Sequence, residues 1–322
     1  MESSSDRQEP NDTGSSIKGY LERFRRDCEL RGMSHPSTLS YLSALRMFSL
    51  YLETVGVRIE DVDKQLLREY VGHMQQRELS FKTLSYNFAA LSAFYEMLVF
   101  EGDIDSNPVV GVRKRYLRRY KNGEGLSKEG RKLISVEEMA MLVKSIRSKR
   151  DRALVILLAK TGVRRGELLR MDVRDVNMQK CCIKLKPTAK RTNRLVFFDE
   201  ETKTCMEDWL RERAKLSKLR SDALFVSEKG ISLGRNRVRD IVVLYATSVG
   251  LNDPNSEKLE DRFTPHCCRH WFTTHLMCSG MPREHVQELR GDVRADAVDI
   301  YYHIDPEELR RSYLEHIPKL GL

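Results

Sequence analysis

The chain has no glycine-rich phosphate loop. Neither GxxxxGK[ST] nor GxGxxG occurs, so ATP and dinucleotides lack their usual cradle and no nucleotide cofactor is expected. Long apolar runs are also missing. The longest, Ala153 to Ala159 (ALVILLA), falls far short of the ~20 residues that span a bilayer, and the start MESSSDRQEPND has no basic-then-apolar leader pattern. A soluble, cytoplasmic chain with no membrane partner is expected. No CxxC is present, and the seven cysteines (Cys28, Cys181, Cys182, Cys205, Cys267, Cys268 and Cys278) form an odd set with two adjacent pairs. This excludes a secreted disulfide framework and reads as reduced thiols. The stretch holding His266, Cys267, Cys268, His270, His275 and Cys278 is dense in metal-ligand types. Neighbours at successive helical positions point in different directions, however, so neither zinc nor any other metal is expected.

What is present is charge. Charged residues make up 32% of the 322 positions, against roughly 25% in an average soluble domain. The length suggests two domains with sizeable cores. The net charge of +9 is unevenly spread. Residues 1–15 carry one basic and four acidic side chains among Ser, Asn, Gly and Pro and read as a disordered tail. Residues 16–112 are slightly acidic, net −2, whereas 113–132 (RKRYLRRYKNGEGLSKEGRK) carry nine basic and two acidic residues. Such a run is either a solvated, self-repelling linker or a strand that follows a phosphate backbone. Interleaved Tyr116 and Tyr120 favour the second reading and make nucleic acid the leading partner class, with Arg113, Lys114, Arg115, Arg118, Arg119 and Lys121 as contacts.

Apolar spacing predicts four amphipathic helices before that run. The stripes are Ile17, Tyr20, Leu21, Phe24 and Cys28; Tyr41, Leu42, Leu45, Phe48 and Leu52 after Pro36-Ser37; Leu66, Leu67, Tyr70 and Met74 after Asp63; and Leu84, Phe88, Leu91, Tyr95 and Leu98 after Ser80. Gly102 and Asn107-Pro108 are expected to end them. Beyond Ile134, Ser135 with Glu137 and Glu138 starts a helix, Asp151 precedes an apolar helix ending near Lys160, and Gly162 marks a turn. Cys181–Lys186 and Arg194–Phe198 read as a β-hairpin, and Thr264-Pro265 and Asp305-Pro306 as helix starts. The expected architecture is mainly α: a four-helix domain over 16–112, a basic linker over 113–132, and a mainly helical domain over 133–322 with a small antiparallel β-sheet.

Three motifs stand in order in the second domain: Thr161-Gly162-Val163-Arg164-Arg165-Gly166-Glu167-Leu168, then His266-Cys267-Cys268-Arg269, then Gly291 followed ten residues later by Tyr301. Their order and spacing resemble the tyrosine recombinase, or phage-integrase, family, over roughly residues 17–318. The resemblance implies a DNA breaking-rejoining enzyme fold with an N-terminal SAM-like core-binding domain. It also implies site-specific strand exchange on double-stranded DNA, by a homo-tetramer on paired sites, without metal or ATP.

Carried over residue by residue, the resemblance makes Arg164 and Arg269 the ligands of the scissile phosphate. Their guanidinium forks suit the charge that develops on non-bridging oxygens. It makes His266 a proton acceptor or phosphate donor, and Glu167 a partner that orients Arg164. Tyr301 becomes the nucleophile, with Tyr302 and Tyr313 as rivals, and His303 lends support. Lys190, in the hairpin turn, would protonate the leaving oxygen, with Lys186 as the alternative. Asp292 stands where the family usually has His or Trp, and a carboxylate there repels phosphate unless an arginine faces it. Two other readings follow from the same resemblance: a type IB topoisomerase-like nicking-closing enzyme, and a catalytically weakened DNA-binding protein of the same fold. The C-terminal helix is expected to dock either on a neighbouring protomer, as in related recombinases, or on its own domain.

Overall fold

The computed structural model describes residues 13–117, 132–187, 195–256, 258–291 and 304–322. It separates into two compact units, Met1–Leu126 and Ser127–Leu322.

The N-terminal unit contains α1 (Thr13–Leu30), α2 (His35–Val55), α3 (Lys64–Gln76), α4 (Phe81–Glu101) and α5 (Val109–Tyr116). Short polar side chains start the middle three: Ser34, Asp63 and Ser80 accept the backbone N–H of Ser37, Leu66 and Thr83 at 3.4, 2.8 and 3.2 Å. Gly56 and Gly102, at φ +66° and +80°, end α2 and α4 in the left-handed conformation glycine adopts most cheaply. The core is rich in aromatics: Phe24, Phe48, Tyr70, Phe88, Phe94 and Tyr95 are all buried. Burial lifts the Tyr70 hydroxyl to about 12. Tyr95 donates to the Ile59 carbonyl at 2.9 Å.

Two expectations change here. The backbone of α1 begins at Thr13, inside the stretch assigned to the tail. Asn107-Pro108 starts a helix instead of closing the series. Asn107 accepts the Val109 N–H and donates to the Ser92 carbonyl, both at 2.9 Å, and Val109 and Val112 are buried one turn apart. Arg113, Lys114 and Arg115 therefore occupy the last turn of α5, where cations suit the helix dipole, and are not part of an extended strand. The Tyr116 ring lies 5.8 Å from the Arg68 guanidinium and 6.0 Å from that of Arg115. Arg118, Arg119 and Lys121 lie outside the described residues.

The C-terminal unit runs α6 (Val136–Ser145), α7 (Lys149–Thr161), α8 (Arg165–Leu168), β1 (Val176–Asn177), β2 (Cys182–Lys184), β3 (Leu195–Phe197), α9 (Glu200–Ala214), α10 (Arg235–Ser248), α11 (Pro265–Cys278), α12 (Arg283–Arg290) and α13 (Pro306–His316). Ser135 and Glu138 form a reciprocal cap on α6. On α7 the cap is Ser148, which accepts the Asp151 N–H at 3.3 Å, so Asp151 sits in the first turn instead of ahead of it. The three strands form an antiparallel sheet in the order β1-β2-β3, with Ile183 opposite both Val176 and Val196. α7 is buried on all sides from Ala153 to Thr161, with α9 and α11 both packed on it. A second cluster, including Phe197, Phe272, Leu289, Leu309 and Tyr313, ties β3, α11, α12 and α13 together.

The chain end folds onto its own unit. Lys160, wholly buried on α7, donates to Asp199 at 2.6 Å, to Glu201 at 2.8 Å and to the Pro318 carbonyl. Glu201 in turn accepts the backbone N–H of Leu320, Gly321 and Leu322. Burial pushes the Glu201 carboxyl up, but the Lys160 ammonium and the tail amides outweigh it and hold the group below its ordinary value. Among the described residues, no helix is long and apolar enough to cross a membrane.

Candidate active site

The first motif is set by a turn that only glycine fits. Gly162 ends α7 at φ +59°, and a Cβ there would stand 2.4 Å from the Phe272 ring. The chain reverses and places Arg164 in extended conformation as the N-cap of α8. Glu167, buried one turn on, accepts the Arg164 N–H at 2.7 Å and its Nη1 at 3.1 Å. Backbone and guanidinium of Arg164 are thus held by one carboxylate, while the side chain stays 32% exposed.

The second motif opens α11. Pro265 occupies the first turn, where its missing N–H costs nothing, and brings His266 and Arg269 onto one face, three residues apart. Arg269 is only 4% exposed. Its Nη1 donates to the Gly162 carbonyl at 2.6 Å and its Nη2 to the Arg290 carbonyl at 3.0 Å, so one guanidinium joins the turn before Arg164 to the turn at Gly291. Gly291 ends α12 at φ +59°.

Arg164, His266 and Arg269, which come from distant parts of the sequence, line one cavity of about 430 Å3. Arg165, Arg235 and Arg239 line it too, and the Arg235 guanidinium lies over Gly166. Motif spacing alone does not single out these three. The available signal was a pair of arginines one turn apart just after Gly234, at the start of α10. Five arginines and two longer helix N-termini around one space make a strongly anion-seeking site.

The rival assignments separate by geometry. Lys186 is engaged by Asp172 at 2.6 Å, and its ammonium holds the Asp172 carboxyl below the ordinary carboxylate range. Tyr313 is a fully packed ring whose hydroxyl donates to the Lys160 carbonyl at 3.0 Å, and burial drives its pKa far up. Lys190, Asp292, Tyr301, Tyr302 and His303 lie outside the described residues. Among the described residues, no group of three His, Cys, Asp or Glu side chains is placed to hold a metal.

Comparison with known proteins gives the family. Residues 132–308 match the phage integrase family and residues 20–101 the phage integrase N-terminal SAM-like domain. The tyrosine recombinase XerC of Pelotomaculum thermopropionicum is 30% identical over 266 residues, covering 80% of this chain and 82% of that protein. The Bacillus subtilis XerC is 27% identical over 311 residues, 94% and 98% of the two chains. The fold resembles that of the XerH site-specific recombinase bound to its difH substrate in a pre-cleavage complex. Here the TM-score is 0.65 at 19% identity, over 95% of this chain and 97% of that one. A family match across the unit that carries the arginine-lined cavity, joined to a relative alike over most of both chains, leads to one conclusion: the chain belongs to the phage integrase family of tyrosine recombinases, enzymes that transfer DNA strands.

Proposed function

We propose that the chain performs site-specific recombination on double-stranded DNA through a 3′-phosphotyrosine on Tyr301, as a homo-tetramer on paired sites. The observation that carries this reading is the convergence of Arg164, His266 and Arg269 on one cavity. A phosphodiester seated there meets Arg164, whose position Glu167 sets, and Arg269, whose position two backbone carbonyls set. Charge that builds on the non-bridging oxygens is met by donors already in place.

The Tyr301 oxygen attacks phosphorus, forming one P–O bond as the bond to the 5′-oxygen breaks. His266 is the acceptor for the phenolic proton, and Lys190 supplies a proton to the leaving 5′-oxygen. What favours Lys190 over Lys186 is the Asp172 ion pair that occupies the latter. The covalent bond conserves the phosphodiester, so a second 5′-hydroxyl reverses the step without ATP. Asp292 and His303 are assigned to the surroundings of the phosphate. Arg113, Lys114, Arg115, Arg118, Arg119 and Lys121 contact the DNA backbone, and the cytoplasm is where such a substrate is met.

Denaturing electrophoresis of a labelled, nicked duplex tests the reading. Wild type yields a covalent adduct and Tyr301→Phe yields none while binding DNA equally well. Adduct retained in Tyr301→Phe and lost in Tyr302→Phe would move the nucleophile by one position.

A further inference from the structure

The motif His266-Cys267-Cys268-Arg269 contains a thiol that the mechanism above does not use. Cys267 is 2% exposed and takes the third position of α11, where a capping Glu or Gln commonly stands. Its Sγ accepts the backbone N–H of Thr264 at 3.3 Å and donates to the Arg262 carbonyl at 3.5 Å. The Cys267 N–H closes the same turn onto the Thr264 carbonyl at 2.8 Å. One residue earlier, the Phe263 N–H is taken by the Asn252 side chain at 2.9 Å, and Asn252 is itself fixed by Thr247 at 2.9 Å. The stretch from Arg262 to Thr264 is therefore held on both sides before it delivers Pro265 and His266 to the cavity.

We infer that Cys267 is a positioning residue for strand cleavage: its sulfur, acting as acceptor and donor together, sets the entry of α11 and with it where His266 and Arg269 meet the phosphate. The inference rests on the assignment of His266 and Arg269 to the reaction. A packing role and a positioning role differ in what they ask of this site. For packing, any apolar side chain of similar volume serves. For positioning, the replacement must both accept from Thr264 and donate to Arg262, which a hydroxyl does and an isopropyl group does not.

The test is single-turnover cleavage by the full chain at saturating DNA, with DNA affinity and thermal midpoint measured alongside. Cys267→Val is expected to lower the cleavage rate about tenfold, which corresponds to about 1.4 kcal/mol of transition-state stabilisation, with DNA affinity within about twofold. Cys267→Ser is expected to recover the rate to within about threefold of wild type even though it melts no higher than the valine variant. Rate and stability then move in opposite directions between the two variants, which a packing role does not produce. Valine cleaving as fast as wild type, or rates that follow the melting order, overturns the inference. Wild type that forms no adduct overturns the Tyr301 reading as well, so the two failures are distinguishable.

Discussion

The two units treat charge in opposite ways. Among the described residues, the buried polar side chains of the N-terminal unit are Thr38, Ser49, Asn87 and Ser92, all neutral. Those of the C-terminal unit include Asp151, Lys160, Glu167, Arg213 and Arg269. Taking an ion out of water costs several kcal/mol unless partners replace the lost hydration, and each of these ions has such partners. Arg213 donates to the Ala223 and Ser221 carbonyls, Lys160 to two carboxylates, and Arg269 to two turn carbonyls. Two of the five stand at or beside the cavity, where Glu167 holds Arg164 and Arg269 joins two turns, while Lys160 ties α7 to Asp199, Glu201 and the chain end. The N-terminal unit is held by packed aromatic rings and capped helices, and the C-terminal unit accepts buried ions that hold turns, the chain end and, at Glu167 and Arg269, the arginine-lined cavity.

The sharpest break in that comparison comes from the two arginines proposed to hold the phosphate, one buried and one partly exposed. Arg269→Ala leaves the Gly162 and Arg290 carbonyls without their donor, so it is expected to destabilise the C-terminal unit by about 2–4 kcal/mol and to lower cleavage by at least about a hundredfold. Arg164→Lys keeps a cation beside Glu167 but loses the planar fork, so the loss of rate should be comparable at a stability cost under about 1 kcal/mol. Single-turnover rates paired with thermal melting read both. Equal melting of the two variants would show that the burial of Arg269 has no structural consequence.

A smaller effect separates the units by pH. Glu201 has a folded pKa below its ordinary value, so it contributes stability above the unfolded pKa, and that contribution is lost as pH falls through the folded one. Glu201→Gln is expected to lower the melting of the C-terminal unit at neutral pH, with the gap from wild type closing below about pH 4. Protection of the Leu320 to Leu322 amides against hydrogen exchange should fall with it. A gap of constant size across pH 3–7 would count against the ion pair with Lys160.

Most of the N-terminal unit was legible in the sequence because its signals are local. Ser80 and Asp63 stand one residue ahead of the helices that carry the apolar stripes, and a side chain capping its own helix needs no tertiary context. The hairpin was legible for the same reason. α5 was not: its apolar pair, Val109 and Val112, is too short a stripe to outweigh the basic residues that follow, and its start depends on Asn107 reaching the Ser92 carbonyl fifteen residues away. At the site, order and spacing of motifs brought Arg164, His266 and Arg269 forward, but nothing local revealed that Arg269 bridges Gly162 and Arg290, 107 and 21 residues distant. Arg235 and Arg239 stayed unseen because only the fold of α10 against α8 turns a pair of surface-type residues into cavity lining.

The smallest expected effect belongs to the N-terminal unit and tests whether its stability really rests on neutral, local devices. Ser80→Ala removes the hydroxyl that accepts the Thr83 N–H at 3.2 Å, leaving a partly exposed donor to water. The cost should be about 1 kcal/mol, read as a roughly fivefold fall in hydrogen-exchange protection over the first turns of α4. The C-terminal unit should be untouched: protection of α7 and α11 and the cleavage rate at saturating DNA are expected to match wild type, because no buried ion and no residue of the cavity takes part in this cap. A loss of cleavage at saturating DNA would mean that the start of α4 acts on the chemistry, and the division of labour between a neutral, packed unit and an ion-braced one would have to be redrawn at that helix.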